Sequence, residues 1–186
     1  MAAILKVDQI LSSNGSQFDG SQLGNVGKVL QVASHIQKNQ FTIATTAETE
    51  IMSVSFVAKS SNPKVLIKVE LFYGFPDNPN NHEVRFFLKK DSTYLNAAVG
   101  QYNTSNTFFS SDADYQYNTT NLESSRYQFG RAYTTAFETF TGVSSGSTIT
   151  LKVFASSGGT NYINRVGASS NSAGAVSSLT IMEIGA

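Results

Sequence analysis

The sequence predicts an all-β protein, an antiparallel β-sandwich of jelly-roll type. Three observations predict it: clean period-two alternation in several short segments, no segment that reads as a helix, and a composition poor in charge. Only 14% of the residues are charged, while Ser, Thr, Asn and Gly are abundant. Globular chains average about 25% charged residues, many of them on helices. The deficit fits sheets with uncharged polar outer faces, a surface that also suits close packing in an assembly.

The pattern is clearest at residues 63–73, Pro-Lys-Val-Leu-Ile-Lys-Val-Glu-Leu-Phe-Tyr. Val65, Ile67, Val69 and Leu71 fall on one face of a pleat and Lys64, Lys68 and Glu70 on the other, because successive strand side chains alternate. A helix would scatter those charges among the aliphatics. Pro63 stands at the strand's first residue, where its missing N–H costs least. Such a half-buried strand needs a sheet beside it and a second layer over its apolar face.

From the N-terminus, residues 1–27 read as an extended arm. Ile4, Leu5, Val7, Ile10 and Leu11 put five aliphatics into eight residues, ahead of two stretches rich in turn residues. Something must cover such a patch, another subunit for instance, although a frayed terminus is the alternative. The sandwich domain spans 28–186. Residues 28–36 place Leu30, Val32 and Ile36 on one face, with His35 on the outward parity, and 41–46 follow after a polar turn. Residues 50–58 alternate Met52, Val54, Phe56 and Ala58 against Ser53 and Ser55. Residues 83–90 turn Val84, Phe86 and Leu88 inward and Arg85, Phe87 and Lys89 outward.

The stretch 91–121 is irregular, mixing aromatics with Asn, Ser and Thr, as in long loops or twisted edge strands. Alternation resumes over 126–140 with Tyr127, Phe129, Arg131, Tyr133, Thr135 and Phe137. Residues 147–155 turn Ile149, Leu151 and Val153 in and Thr148, Thr150 and Lys152 out, and a Ser-Ser-Gly-Gly turn leads to 161–166. Residues 177–184 close the chain with Ile181, Met182 and Ile184, which a central strand position or a subunit contact must cover. Many strands with hairpin turns and no helical crossovers argue for the sandwich.

Charge and composition exclude several functions. Thirteen basic and thirteen acidic residues give zero formal charge, so no field draws nucleic acid or an anionic membrane. No apolar run is long enough to span a bilayer as a helix, and the first residues lack the basic and apolar regions of an export signal. With no cysteine there is neither a disulfide nor a thiolate metal site. His35 and His82 have no partner at zinc-ligand spacing. Asp112, Asp114 and Asn118 lack a calcium-loop spacing, and no Gly-x-Ser-x-Gly elbow or phosphate loop occurs. Glu83, Glu123, Glu138 and Glu183 are the carboxylates that a glycoside hydrolase would draw on, and nothing selects two of them. No catalytic residue, metal or cofactor is therefore expected, and the chain reads as a non-enzyme. Tyr94, Tyr102, Tyr115 and Tyr117 form a candidate surface-recognition region, suited to stacking on sugar rings or anchoring a protein contact; packing inside the sandwich is the plainer alternative.

The segment Gly27-Lys28-Val29-Leu30-Gln31-Val32, the Gly-Gly-Thr-Asn-Tyr-Ile-Asn-Arg run at 158–165 and the terminal Ser-Ser-Leu-Thr-Ile-Met-Glu-Ile at 177–184 resemble a group of bacteriophage virion proteins. The Ile4-Leu5-Lys6-Val7-Asp8 start is similar to phage fibre and virion proteins. The resemblance covers both ends of the domain and leaves out 77–140. It implies a β-sandwich assembling as a homotrimer on the particle surface, after synthesis in the host cytoplasm. Within that class two roles compete. A capsid decoration (cement) protein would grip the major capsid protein through its arm, whose roughly 25 residues reach about 80 Å when extended. A short tail fibre would sit on a tail adaptor and touch host-surface glycans through its tyrosine-rich loops. The first is favoured because no heptads, collagen-like repeat or repeated β-motif supplies a shaft.

Overall fold

The computed structural model describes residues 27–74, 83–95, 108–113, 130–165 and 174–185, and every regular element among them is a strand. In chain order these are β1 (Val29–Gln37), β2 (Phe41–Ile43), β3 (Thr49–Val57), β4 (Lys64–Gly74), β5 (Glu83–Lys90), β6 (Thr93–Tyr94), β7 (Phe108–Ala113), β8 (Gly130–Thr139), β9 (Thr148–Ser157), β10 (Asn161–Ile163) and β11 (Ser177–Ile184). The 83–90 and 177–184 segments match their strands residue for residue, and most of the others differ by a residue or two at an end.

The pairing is nested. β1 pairs β11, β2 pairs β10, β3 pairs β9, β4 pairs β8 and β5 pairs β7, all antiparallel. The chain is thus one long hairpin, and that hairpin is rolled up, because β11 also pairs β4 and β9 also pairs β5. Rolling splits it into a six-stranded sheet ordered β1-β11-β4-β10-β2, with β8 also on β4, and a five-stranded sheet ordered β3-β9-β5-β6, with β7 also on β5. That winding is a jelly roll. The C-terminal strand β11 lies between β1 and β4, which covers Ile181, whereas Met182 and Ile184, also expected to be covered, take the outward parity because successive side chains alternate.

The core lies between the sheets and uses the predicted faces. Val65, Ile67, Val69 and Leu71 of β4 and Leu179 and Ile181 of β11 meet Val54 and Phe56 of β3, Val84, Phe86 and Leu88 of β5, and Ile149, Leu151 and Val153 of β9. Tyr73 and Phe86 bring their rings to 5.2 Å at a tilted angle, as aromatic quadrupoles prefer. Phe87, expected outward, has the outward parity but is buried against Tyr94, with ring centroids 6.0 Å apart.

Two strands turn their larger apolar residues outward, β1 against the sense expected of it and β8, for which the sequence reading gave none. On β1, Val32 and Ile36 are 58% and 57% exposed, whereas His35, expected outward, takes the inward parity with Gln31, Ala33 and Gln37. The reason lies at the margin of the sandwich, where β1 runs beside β3, the edge strand of the other sheet. Edge carbonyls there need donors. Gln31 donates to the Val57 carbonyl at 2.7 Å and Gln37 to the Ile51 carbonyl at 2.9 Å, so polar side chains point in and stitch the two edges. On β8 the inward residues are the small Ala132 and Ala136, and Arg131, Tyr133, Thr135 and Phe137 face out.

Candidate interface

These reversed margins shape the outer face of the larger sheet. In-register neighbours across β1, β11, β4 and β8 form rows: Val32 beside Met182, Leu66 and Phe137; Ser34 beside Thr180, Lys68 and Thr135; Ile36 beside Ser178, Glu70 and Tyr133. Val29 lies beside Ile184 at the end of the face. Cross-strand neighbours are about 5 Å apart, so the first row is a continuous apolar band. Among the described residues, five of the seven exposed large hydrophobics lie on this face: Val29, Val32, Ile36, Tyr133 and Phe137. Between the bands is a shallow depression of about 400 Å³ bounded by Lys68, Glu70, Tyr133 and Met182. Arg131 pairs with Glu70 at 2.7 Å and lies 5.7 Å from the Tyr133 ring centre.

The outer face of the smaller sheet is chemically different. Ser55 and Thr150 share a hydroxyl hydrogen bond at 2.8 Å, and Lys152 pairs with Glu50 at 2.9 Å, holding that carboxyl below its ordinary value. Further along, the Lys89 ammonium lies 4.2 Å from the Tyr94 ring centre and 4.6 Å from that of Phe154, and pairs with Glu48 at 2.5 Å. The Tyr94 hydroxyl donates to the same Glu48 carboxylate. That hydrogen bond pushes the Tyr94 phenol up; burial lowers Lys89, but Glu48 more than offsets it and the ammonium is held protonated.

Two buried polar cradles hold the sandwich ends. Glu183 is 1% exposed on the inward parity of β11. Its carboxylate accepts the backbone N–H groups of Lys59 and Ser60 at 3.0 and 2.9 Å, the Ser60 hydroxyl at 2.7 Å and the Gln31 amide at 2.5 Å. Burial alone would raise its pKa, but those donors together hold it below the ordinary carboxylate value. Asn164 takes the left-handed φ of 57° and is fully buried. Its amide donates to the Gln37 carbonyl at 2.6 Å, and its oxygen accepts the Ser177 hydroxyl at 2.6 Å.

Of the predicted recognition tyrosines, only Tyr94 falls within the described residues, and its hydroxyl is committed to Glu48 rather than presented to a ligand. Tyr102, Tyr115 and Tyr117 lie outside them, as do the arm residues Ile4, Leu5, Val7, Ile10 and Leu11. Glu123, Asp114, Asn118 and His82 lie outside them too. Among the described residues no group of three His, Cys, Asp or Glu side chains could hold a metal ion, and Glu183 is fully engaged by its donors. The sequence reading missed Leu66 and Phe137 as surface residues, and took Tyr133 only as the end of the tyrosine-rich stretch that begins at Tyr94. The signal was present in β8, where one parity holds Ala132 and Ala136 and the other Tyr133 and Phe137.

The features together define a jelly-roll sandwich with exposed hydrophobics concentrated on one sheet face. No protein-family model and no curated protein matches the chain. Solved structures similar to it include Eiger TNF from S. frugiperda, at 10% identity and a TM-score of 0.43, covering 83% of this chain and 92% of that one. Another is dimeric latent PorU from Porphyromonas gingivalis, at 9% identity and a TM-score of 0.39, where 86% of this chain spans 13% of the other. A third is the VP2 subviral particle of infectious bursal disease virus, at 11% identity and a TM-score of 0.34, covering 84% of this chain and 38% of that one. At such identities the likeness concerns the fold alone.

Proposed function

We propose that this chain is a non-enzymatic structural protein of a bacteriophage virion: a decoration protein that assembles as a homotrimer on the capsid surface and is anchored to the major capsid protein by residues 1–27. The observation that carries the reading is the sheet face on which Val32, Met182, Leu66 and Phe137 form an apolar row open to solvent. A protein that acts alone in solution gains nothing from such a row. The resemblance of both domain ends to phage virion proteins, and the jelly roll itself, support the same reading.

The role would be mechanical. Nested pairing ties the two termini of the sandwich to one sheet, with Gly27 and Gly185 joined by a 2.9 Å backbone hydrogen bond. An arm leaving at Gly27 therefore pulls on a strand paired to β11, near the middle of the sheet, rather than on a loose end. A short tail fibre is the second reading, favoured by the fibre-like start Ile4-Leu5-Lys6-Val7-Asp8 and by the tyrosines of 94–133.

Quantitative mass spectrometry of purified particles separates the two. Copy number commensurate with the capsid lattice supports decoration, and a few copies per particle supports the fibre. Absence from particles refutes both. Deleting residues 1–20 should leave the sandwich folded and abolish capsid binding; a truncated protein that still binds would refute the anchoring arm.

A further inference from the structure

We infer that the outer face of β1, β11, β4 and β8 is the self-association surface of the protein, covered by a second copy of this chain. The inference deepens the virion reading by naming the surface through which copies meet, and it can hold even if the particle assignment fails.

Size is the first argument. Four strands at about 4.8 Å spacing, over the nine residues from Lys64 to Phe72 at about 3.4 Å each, present a face of roughly 600 Å². One partner of a standard specific interface gives up about 800 Å², so the face approaches the area a stable contact needs. The second argument is placement. The exposed hydrophobics stand on the two marginal strands, Val32 and Ile36 on β1 and Tyr133 and Phe137 on β8. The row through Met182 and Leu66 joins them, so the contact surface is continuous from edge to edge.

Charge is the third. The whole chain has zero formal net charge, so no long-range repulsion keeps copies apart. Within the face Glu70 is already paired with Arg131 at 2.7 Å, so its carboxylate brings no unpaired negative charge to a contact between copies. The smaller sheet carries fewer such residues: its outer positions include Ser53, Ser55, Thr150 and Lys152, and Val57 is its one exposed large hydrophobic among the described residues. Exposed hydrophobics concentrated on one sheet are the pattern of a subunit with one side turned to its sisters.

The test uses the full chain in three forms: wild type, the double variant Val32→Lys with Phe137→Lys, and the control Val57→Lys. Val57 is 46% exposed on the outer parity of β3, on the other sheet. Mass is read by light scattering on a sizing column across a dilution series, with far-ultraviolet circular dichroism to verify the sheet fold. The wild type and V57K should be oligomers with the same dissociation constant, and the double variant a folded monomer with self-association weakened by about 100-fold or more. If the double variant loses its sheet signal, Tyr133→Glu replaces it and should give the same folded monomer. An oligomer of unchanged strength in a folded face variant overturns the inference, as does a monomeric wild type. A monomer whose face binds a hydrophobic dye only after residues 1–26 are removed would assign the face to the chain's own N-terminal segment, and also overturns it. None of these results depends on finding the protein in a particle.

Discussion

Replacing Glu183 with glutamine should destabilise the sandwich at neutral pH and do so less in acid. The carboxylate is buried and receives donors on both oxygens: Ser60 N–H and hydroxyl on Oε1, the Gln31 amide on Oε2, and Lys59 N–H shared between them. An amide has the same shape but only one acceptor oxygen. If that oxygen serves Ser60, the new NH2 group faces the Gln31 NH2, donor against donor. Rotating the Gln31 amide relieves the clash but gives up its 2.7 Å bond to the Val57 carbonyl. Either arrangement forfeits a charge-assisted bond and leaves a buried group unmatched, a loss of about 2–4 kcal/mol. For a chain of this size each kcal/mol shifts Tm by about 2–4 °C, so E183Q should melt roughly 4–16 °C lower at pH 7. The pH dependence has a definite sign. The folded pKa is depressed, so the stabilisation is complete above the unfolded carboxylate value of about 4.3 and is lost as pH falls through the lower folded value. Thermal melts from neutral to strongly acid pH, at one protein concentration, should show the gap between wild type and variant closing in acid. Equal Tm values at pH 7, or a gap that does not change with pH, would refute the role given to this carboxylate.

Asn164 combines a left-handed backbone with buried side-chain hydrogen bonds, so Asn164→Gly, which keeps the backbone, should cost less than Asn164→Ala by about 1 kcal/mol in chemical denaturation; equal losses would deny the backbone component. A Cβ at Gly130 would stand 2.3 Å from the Tyr73 ring, so Gly130→Ala should lower stability by about 1–3 kcal/mol, read by the same denaturation; a neutral result would mean that β8 shifts freely against β4. Tyr94 donates to Glu48 and its phenol is pushed up. In ultraviolet-monitored alkaline titration, the component missing from Tyr94→Phe should be one that ionises late, and Glu48→Gln should move it to lower pH.

Most of the fold was legible because burial on one face imposes period two on the sequence. On β4, β5 and β9 the core needs an apolar side chain at every second position, and those positions match the buried set, whereas on β11 only Ile181 of the expected Ile181, Met182 and Ile184 is buried. The nested pairing was not legible, because no local pattern says that β4 pairs with both β8 and β11. The short strand β6 and the Tyr94–Glu48–Lys89 cluster were missed for a related reason. Their partners are 46 and 41 residues away from Glu48 along the chain, and a lone tyrosine among Asn, Ser and Thr has no periodicity to reveal it. The Glu183 cradle was equally hidden, since a glutamate in a terminal strand reads as an exposed charge until the turn at Lys59 and Ser60 is folded over it.

The reversed strands are the most instructive departure, because alternation reports which residues differ and not which way they point. At β1 the apolar set lies outside since Gln31 and Gln37 are needed inside, to supply the edge carbonyls of β3. That explains why glutamines point in, but not why valine and isoleucine point out. A strand whose inward face is polar could have carried serine or threonine outside at no cost to the sandwich, as β3 does at Ser53 and Ser55. β8 repeats the choice, with alanines inside and Tyr133 and Phe137 outside, on the opposite margin of the same sheet. Two strands on opposite margins that each set their largest apolar side chains on the same solvent-facing surface, beside a sheet whose one exposed large hydrophobic among the described residues is Val57, are what the proposed contact between copies accounts for.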